Sequence, residues 1–292
     1  MKVSVVIPSY QRGATAVDSI RALLALDRKP DQIILVDQTG HHPLEVERVL
    51  QSLHDCGDIA WSRLTEPSIP KAMNFGLRLA RSKVVLFLDD DIVPDAKLVE
   101  MHAIAHSDHQ RLVAGMVLQP GEKPETLVLS EGFRFNSSGA ARIREFMGGN
   151  FSIDRETAIT LGGFDENFVG AAYRFEAEFA HRFVAKHGLI GYEPRAIIHH
   201  LQIPTGGTRA HGHHLRTSRP AHSVGAYYFL LRTRQAGWLW QLIWRPLRSV
   251  RTRHHLQKPW WIPLTLLAEL RGFIWALKLL LRGPKLIGKL GE

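Results

Sequence analysis

Hydrophobic and polar positions follow two alternating patterns over the first 90 residues of the chain. Short runs rich in β-branched residues predict buried strands, which cover residues 2–7, 32–36, 59–64 and 84–88. Between these runs apolar residues recur at helical spacing, and the predicted helices cover residues 15–26, 44–53 and 70–81. This alternation predicts an α/β fold with a mostly parallel sheet flanked by helices.

Further elements follow in the next 110 residues. The patterns predict helices over residues 94–106, 154–161 and 175–187, with Asp154 as the N-cap of the second. They predict strands over residues 112–118 and 189–200. Residues 119–140 are rich in Gly, Pro, Ser and charge, which is typical of a long surface excursion.

Three adjacent carboxylates, Asp89, Asp90 and Asp91, end the apolar strand at residues 84–88. Side chains alternate along extended backbone, so Asp89 and Asp91 should point to one side and Asp90 to the other. Neighbouring carboxylates repel one another unless a cation neutralises them. Because ligands of open α/β sheets bind beyond the carboxyl ends of the strands, we expect Mn²⁺ or Mg²⁺ here. A solvated acidic turn is the alternative.

Charge divides the chain into two parts. Its net charge is +9, but residues 1–193 carry 21 Lys and Arg against 26 Asp and Glu, whereas residues 194–292 carry 16 against 2. The single cysteine, Cys56, excludes an intrachain disulfide and fits a reducing, cytoplasmic compartment. We therefore expect an α/β domain over residues 1–210 and a basic, Trp-rich helical region over residues 211–292.

The basic region contains two apolar segments, residues 225–244 and 260–281, but charged residues interrupt both, so neither is expected to span a membrane. On a helix, the basic residues of the second segment and its continuation fall within about 60° of arc. They are Arg271, Lys278, Arg282, Lys285 and Lys289. Such a stripe beside Trp and Leu predicts a helix that lies on an anionic membrane surface, at the cytoplasmic face. Packing against the α/β domain is the alternative.

Several motifs carry a family resemblance, in this order: VVIPSYQR, VDQT, KAMNFGLRLA, LDDDI, GGNFSI, GGFDENF and IIHH. Over roughly residues 1–210 the sequence resembles family 2 glycosyltransferases with the GT-A fold. The resemblance implies a metal-dependent, inverting hexosyltransferase with a nucleotide-binding sheet and a DXD motif at the acidic triplet. A GxGxxG fingerprint and a Walker P-loop are both missing from the sequence, which argues against dehydrogenases and P-loop kinases.

The resemblance assigns roles at the metal and the nucleotide. Asp91 would bind the metal ion, Asp89 would face the ribose and base, and Asp90 would lie in the same nucleotide site. His199 would complete the metal site. Its neighbour His200 is the alternative, because consecutive strand residues point to opposite faces.

Further nucleotide contacts are expected from the ends of the first two strands and from the third helix. The positions are Pro8, Tyr10, Arg12, Asp37, Gln38 and Asn74. Gln38 replaces the second carboxylate usual in the family, but its amide can still pair with a pyrimidine edge. Arg12 would contact phosphate or remain a surface charge, and the Asp37–Gln38 pair would line the base or simply end the strand.

The acceptor hydroxyl needs a general base, and the resemblance places it at Glu176, with Phe175 replacing the usual preceding acid. Glu178 is the reserve candidate. The two glutamates lie about 200° apart on a helix, so only one can face the site; a solvated helix face is the alternative for either.

Three further residues should contact the sugar or the acceptor. Gly149 would allow close approach of the backbone, and Asn150 offers both a donor and an acceptor to hydroxyls. Asp165 would bind the sugar or acceptor, or else cap a turn.

Two functions remain open. The first is sugar transfer from a nucleoside-diphosphate sugar to a hydroxyl of a glycan or lipid-linked acceptor. The second is an inactive nucleotide-binding scaffold whose basic region holds nucleic acid or a membrane. The acidic triplet disfavours nucleic acid, because it would repel a phosphate backbone unless a metal ion is bound.

Overall fold

The computed structural model describes residues 1–126 and 132–288, and within them nine strands form one mixed sheet. The strands are β1 Val3–Ser9, β2 Gln32–Asp37, β3 Ala60–Arg63, β4 Val84–Leu88, β5 Ile92–Pro94, β6 Leu112–Leu118, β7 Ala141–Ile143, β8 Asn150–Asp154 and β9 Ile190–His200. Their order is β3-β2-β1-β4-β8-β6-β9-β5, and β7 pairs with β9. The predicted α/β fold is confirmed.

Helices cover both faces of the sheet and continue beyond it. The described α-helices are α1 Gly13–Leu24, α2 Leu44–Asp55, α3 Ile69–Leu79, α4 Leu98–Ser107, α5 Arg155–Thr160, α6 Phe175–His187, α7 Ser223–Thr233, α8 Trp238–Val250, α9 Arg253–Gln257 and α10 Ile262–Arg282. The Asp154 side chain caps α5 by accepting a hydrogen bond from Thr157 N, as predicted. The helix predicted at residue 94 begins only at Leu98, because Ile92–Pro94 pairs with β9 as strand β5.

Strands β3, β2, β1 and β4 run parallel, so their carboxyl ends meet at one edge of the sheet. Strand β8 runs antiparallel between β4 and β6. Its first residue, Asn150, pairs with Leu88, the residue just before the acidic triplet. This pairing brings the preceding loop, Gly148–Gly149, beside Asp89. The strand order therefore gathers the candidate residues at one edge.

Two hydrophobic clusters fill the space on either side of the sheet. Val6 and Phe87 belong to one cluster, while Val5 and Leu86 belong to the other. This division follows from the alternation of side chains along a strand. Because both faces of β1 and β4 are buried, these strands contain almost uninterrupted apolar residues.

Residues 211–288 pack against the α/β domain and share its core. Helix α7 is buried from Ser223 to Leu231, and Tyr228 and Ile287 join the same hydrophobic cluster as the sheet. The charge pattern predicts a boundary at residue 210, but the segments on its two sides share one continuous core. Within residues 1–126 and 132–288, no helix combines the length and the apolar character that a membrane crossing requires. The predicted basic stripe is shorter than expected, because α10 ends at Arg282, and Lys285, beyond the helix, pairs with Glu166 at 3.0 Å. Lys289, the last residue of that predicted stripe, lies outside the described residues.

Candidate active site

A cleft of about 550 Å³ lies at the carboxyl edge of the parallel strands. Its walls come from the loop after β1, the end of β2, the acidic triplet, the Gly148–Gly149 loop, the first turn of α6 and the segment after β9. The predicted residues that line it are Pro8, Tyr10, Arg12, Gln38, Asp89, Asp90, Asp91, Gly149 and Glu176.

The three aspartates have different environments. Asp90 is buried; its carboxylate accepts a hydrogen bond from Ser9 Oγ at 2.7 Å and pairs with Arg12 at 3.0 Å. Asp91 is fully buried and also pairs with Arg12 at 3.0 Å. The Asp89 side chain is 45% exposed and lies in the cleft. Arg12 therefore neutralises the buried part of the triplet, and its burial excludes the alternative of a surface charge.

Asp89, Asp91 and His200 together have the character of a metal site. One ligand atom from each lies within 4.8 Å of the other two. His200 Nε2 is 3.1 Å from Asp91 Oδ1, while its Nδ1 is 2.9 Å from Gln119 Oε1, which orients the ring. Asp91 Oδ1 is buried, yet no described residue makes a well-aligned hydrogen bond to it. Two carboxylates and an imidazole, with Asp91 Oδ1 lacking such a hydrogen bond, fit a divalent ion such as Mn²⁺.

His199 is not part of this group, which corrects the assignment of the metal ligand. It pairs with Val93 of β5 and Leu118 of β6, and its side chain is exposed. His200 pairs with Ile92 and points to the opposite face, towards Asp91. The sequence predicts that His199 and His200 point to opposite faces of the sheet. Which of them faces Asp91 depends on how β9 pairs with β5.

Glu176 lies in the first turn of α6 and lines the cleft. Burial raises the pKa of its carboxyl to about 7, and the negative charge of Asp89 acts in the same direction. Gly148 lies against it: a Cβ at this position would be 2.9 Å from Glu176 Oε1. A carboxyl group that titrates near neutral pH is well matched to accepting a proton from a hydroxyl.

Glu178 serves a structural purpose instead. It is 1% exposed and forms a bidentate pair with Arg182, with both nitrogen–oxygen distances at 2.8 Å. Arg232 of α7 approaches it to 3.8 Å. The carboxylate thus joins α6 to α7 and does not line the cleft.

The end of β2 contributes one residue to the cleft. Gln38 lines it and accepts a hydrogen bond from the backbone N–H of Ser68. Asp37 does not line it: the residue is 1% exposed, and its carboxylate accepts hydrogen bonds from Trp61 Nε1 at 3.0 Å and Thr39 N at 2.9 Å. His42 Nε2 also lies 2.6 Å from this carboxylate. Asp37 therefore fixes the loop after β2, contrary to the predicted base contact.

Asn74 and Asn150 also hold the fold together and leave no polar atom for a ligand. The Asn74 amide donates to Phe164 O and accepts from Phe164 N, both at 2.8 Å. The Asn150 amide donates to Met116 O and Ala196 O, and its oxygen lies 2.9 Å from His102 Nε2. Both side chains are buried, so neither the predicted nucleotide contact nor the predicted sugar contact is formed.

Asp165 connects the α/β domain to the C-terminal region. Its Oδ2 accepts a hydrogen bond of 2.7 Å from the Tyr228 hydroxyl in α7. Its Oδ1 accepts bonds from Asn167 N at 3.0 Å and Lys285 N at 2.9 Å. The side chain is fully buried and lies outside the cleft lining, so it caps a turn rather than touching a sugar.

A sequence-family comparison decides the identity of the chain. The model of the family described as "Glycosyl transferase family 2" matches residues 4–178, which is more than half of the chain. The chain belongs to glycosyl transferase family 2. It is accordingly a glycosyltransferase, as the order of its motifs predicted. Comparison with curated proteins finds no match to this glycosyltransferase.

The glycosyltransferase also resembles solved structures. S. aureus TarS 1-349 in complex with UDP-GlcNAc has a TM-score of 0.59 at 11% identity, with 100% of this chain and 98% of that chain covered. The mannosyltransferase PcManGT from Pyrobaculum calidifontis, in complex with GDP-Man and Mn²⁺, has a TM-score of 0.58 at 18% identity, with 97% and 79% covered. GalNAc-T7 with UDP, GalNAc and Mn²⁺ has a TM-score of 0.56 at 16% identity; the match covers 68% of this chain but only 43% of GalNAc-T7. These similarities show a shared GT-A fold.

Tyr173 and Arg174 line the glycosyltransferase cleft, although sequence analysis assigned neither of them a role. The loop of Arg209 packs over Arg12, since Gly206 and Gly207 both lie against that side chain. Arg209 donates to Ile203 O at 2.8 Å and remains exposed at the cleft. Positive φ angles at Ala172 and Arg174 turn the chain into α6, and that turn had no recognisable sequence signal.

Proposed function

We propose that this family 2 enzyme is an inverting hexosyltransferase that moves a sugar from a nucleoside-diphosphate sugar to an acceptor hydroxyl. The observation that carries the proposal is that the Asp89–Asp91–His200 group and Glu176 face one cleft. Structurally similar proteins were solved with UDP-GlcNAc, with GDP-Man and Mn²⁺, and with UDP and Mn²⁺, which supports a nucleotide-sugar donor.

Asp89, Asp91 and His200 would hold Mn²⁺ or Mg²⁺. When bound, such an ion supplies Lewis-acid stabilisation of the diphosphate that leaves. The exposed Arg209 adds a positive charge at the same cleft wall. Gln38 offers an amide to the base, beside the Pro8–Tyr10 turn. This set would fix the donor with its anomeric carbon towards Glu176.

Glu176 would act as the general base. Its carboxylate takes the proton of the acceptor hydroxyl as the hydroxyl oxygen bonds to the anomeric carbon, and the bond to the nucleoside diphosphate breaks on the opposite side. This single displacement inverts the configuration. Gly148 leaves room for the carboxylate, and Gly149 does the same for Asp89.

We also propose that the C-terminal helices attach the enzyme to the cytoplasmic face of an anionic membrane. Helix α8 exposes one apolar face, formed by Leu239, Trp240, Ile243, Trp244 and Leu247. Trp240 is 63% exposed and Ile243 is 65% exposed. Helix α10 exposes further apolar residues beside its three basic residues Arg271, Lys278 and Arg282. These apolar residues are Leu266, Leu267, Leu270, Ile274 and Trp275. Aromatic and aliphatic residues flanked by arginine and lysine fit the headgroup region of a bilayer.

The donor site can be tested before any acceptor is known. We expect one nucleoside diphosphate or nucleotide sugar to raise the melting temperature only when Mn²⁺ or Mg²⁺ is present, since binding to the native state stabilises it. The same shift should vanish in Asp91→Asn and persist in His199→Ala. A screen in which no donor gives a metal-dependent shift would contradict the proposed reaction.

Membrane attachment can be tested by flotation with anionic phosphatidylglycerol vesicles. Ile243→Glu should reduce the floating fraction because it places a charge on the apolar face of α8. Leu44→Glu is the matched control, because Leu44 is 64% exposed in α2 on the α/β domain. Equal flotation of the wild type and Ile243→Glu would contradict this part of the proposal.

A further inference from the structure

A second cavity, of about 590 Å³, lies between α7, α8, α10 and the segment before α7. It adjoins the donor cleft, because Tyr173, Arg174 and His222 line both. Arg174 is two residues before Glu176 at the start of α6. A molecule that occupied both spaces would therefore pass beside the proposed base.

The lining of the second cavity is strongly cationic. It contains four arginines, Arg174, Arg219, Arg245 and Arg248, and among the described residues of the lining only Glu269 is acidic. Glu269 is buried in α10 and pairs with Arg245 at 3.0 Å. Glu269 is the only acidic residue between residues 194 and 288, and Arg245 neutralises it. The cavity therefore keeps an excess of positive charge.

Arg219 and Arg248 carry most of that excess. Arg174 is compensated by Glu145 at 3.1 Å, outside the cavity lining. No carboxylate of residues 1–126 or 132–288 lies within ion-pair distance of Arg219 or Arg248. Two guanidinium groups that share a cavity repel one another unless an anion lies between or beside them.

Helix α8 has an orientation opposite to that of an ordinary surface helix. Its polar residues Gln241, Arg245, Arg248 and Ser249 line the cavity, while its apolar face is exposed. A surface helix normally turns its apolar stripe to the protein and its charges to water. Here the half-buried Arg245 and the exposed Arg248 both line the cavity, and such a cationic wall is suited to an anionic occupant.

His222 provides an independent sign of a ligand at the junction of the two spaces. Its Nε2 atom is buried, and no described residue forms a hydrogen bond with it. A buried polar atom without a partner is costly, unless a ligand or water satisfies it. The atom belongs to one of the three residues that line both the cavity and the cleft.

We propose that the second cavity is an acceptor subsite that binds a phosphate or diphosphate group carried by the acceptor, an inference that rests on the proposed glycosyl transfer. Arg219 and Arg248 would bind the phosphate oxygens, since guanidinium groups bind phosphate through paired hydrogen bonds. The sugar or polyol attached to that phosphate would extend past Arg174 and His222 into the cleft. Its hydroxyl group would then reach Glu176. Lipid-linked diphosphates and soluble phosphodiester glycans share this chemistry.

The first test measures binding of inorganic pyrophosphate by calorimetry in EDTA, which keeps divalent ions from the donor site. We expect the double variant Arg219→Gln/Arg248→Gln to bind at least about tenfold more weakly, because each charge-assisted bond contributes substantially to affinity. Arg251→Gln is the matched control, because this exposed arginine follows α8 and does not line the cavity. Unchanged binding in the double variant, or a loss only in Arg209→Gln in the cleft, would overturn the proposal.

A second arm identifies the source of the phosphate. Phosphatidylcholine vesicles, with and without a polyprenyl diphosphate, are compared in flotation with wild type and the double variant. Diphosphate-dependent flotation that the double variant loses would assign the subsite to a lipid-linked acceptor. Arginine-dependent binding of soluble pyrophosphate with no effect of the lipid would assign it to a soluble phosphorylated glycan. If neither pyrophosphate binding nor flotation depends on Arg219 and Arg248, the proposed subsite is wrong.

Donor binding is measured on the same variants, so that the two proposals can fail separately. Metal-dependent binding of the nucleoside diphosphate should persist in Arg219→Gln/Arg248→Gln and be lost in Asp91→Asn. If donor binding is retained while pyrophosphate binding is independent of both arginines, only the acceptor subsite is wrong. If no donor binds to the wild type, the proposed transfer reaction is wrong.

Discussion

The Glu176 carboxylate lies against the backbone of Gly148, where a Cβ would be only 2.9 Å from Oε1. Gly148→Ala should therefore move the carboxylate while leaving the fold intact, since the displaced group is the end of a flexible side chain. We expect a reduction of kcat by about tenfold or more, because small misplacements of a catalytic group are costly. Steady-state kinetics measure the reduction of kcat, and thermal unfolding checks that the fold is intact.

Gly40→Ala is the control for this substitution, because nothing lies within 4 Å of a Cβ at Gly40. It should leave both kcat and the melting temperature unchanged. If Gly148→Ala is as active as Gly40→Ala, the position of the Glu176 carboxylate does not limit the reaction.

The transfer rate should depend on pH through Glu176. A base must be deprotonated to act, and burial raises the pKa of this carboxyl to about 7. Below that value we expect kcat/KM, which reports the free enzyme, to rise by about tenfold per pH unit, and above it to level off. A pH–rate profile checks this. A rate that stays flat between about pH 5 and pH 8 would contradict the assignment of the base.

His200 and His199 form a matched pair for testing the metal site. His200→Ala should weaken Mn²⁺ binding by at least about tenfold, since the imidazole faces Asp91. His199→Ala should have no such effect, because its side chain is exposed on the other face of β9. Titration with Mn²⁺, followed by electron paramagnetic resonance, measures the free ion. The opposite ranking of the two variants would restore the sequence-based choice of His199.

Asp165 should matter for stability rather than for ligand binding. Asp165→Ala leaves the Tyr228 hydroxyl and two backbone N–H groups without their acceptor. We expect the free energy of unfolding in urea to fall by about 3 kcal/mol or more. Tyr228→Phe, which removes one of these bonds, should cost about 1 kcal/mol. A stable Asp165→Ala protein that no longer binds donor would instead identify a sugar-binding residue.

The sequence predicts the parts of the site that depend on local pattern. The apolar strand before Asp89 and the start of the helix at Glu176 are both visible as hydrophobic periodicity. Parallel strands then bring these residues to one edge, so the cleft follows from topology. The same reasoning predicts that one of the two histidines faces Asp91.

Residues whose role depends on distant partners could not be predicted in this way. Asn74, Asn150 and Asp165 have side chains suited to a sugar, but each is fully occupied by partners from other segments. Asn74 binds a backbone 90 residues away, and Asp165 binds a hydroxyl 63 residues away. The choice of His200 likewise depends on the pairing of β9 with β5. Local sequence does not contain these contacts, because they form only when the chain is packed.

The Glu176→Gln variant tests the role of the general base most directly, with donor binding and transfer measured on the same protein. Metal-dependent donor binding should be retained, and transfer should fall by about 10²–10⁴-fold, the usual contribution of a general base. Glu178→Gln, which disturbs the buried pair with Arg182, should lower the melting temperature more than the transfer rate of the folded protein. Transfer by Glu176→Gln at the wild-type rate would show that Glu176 is not the general base.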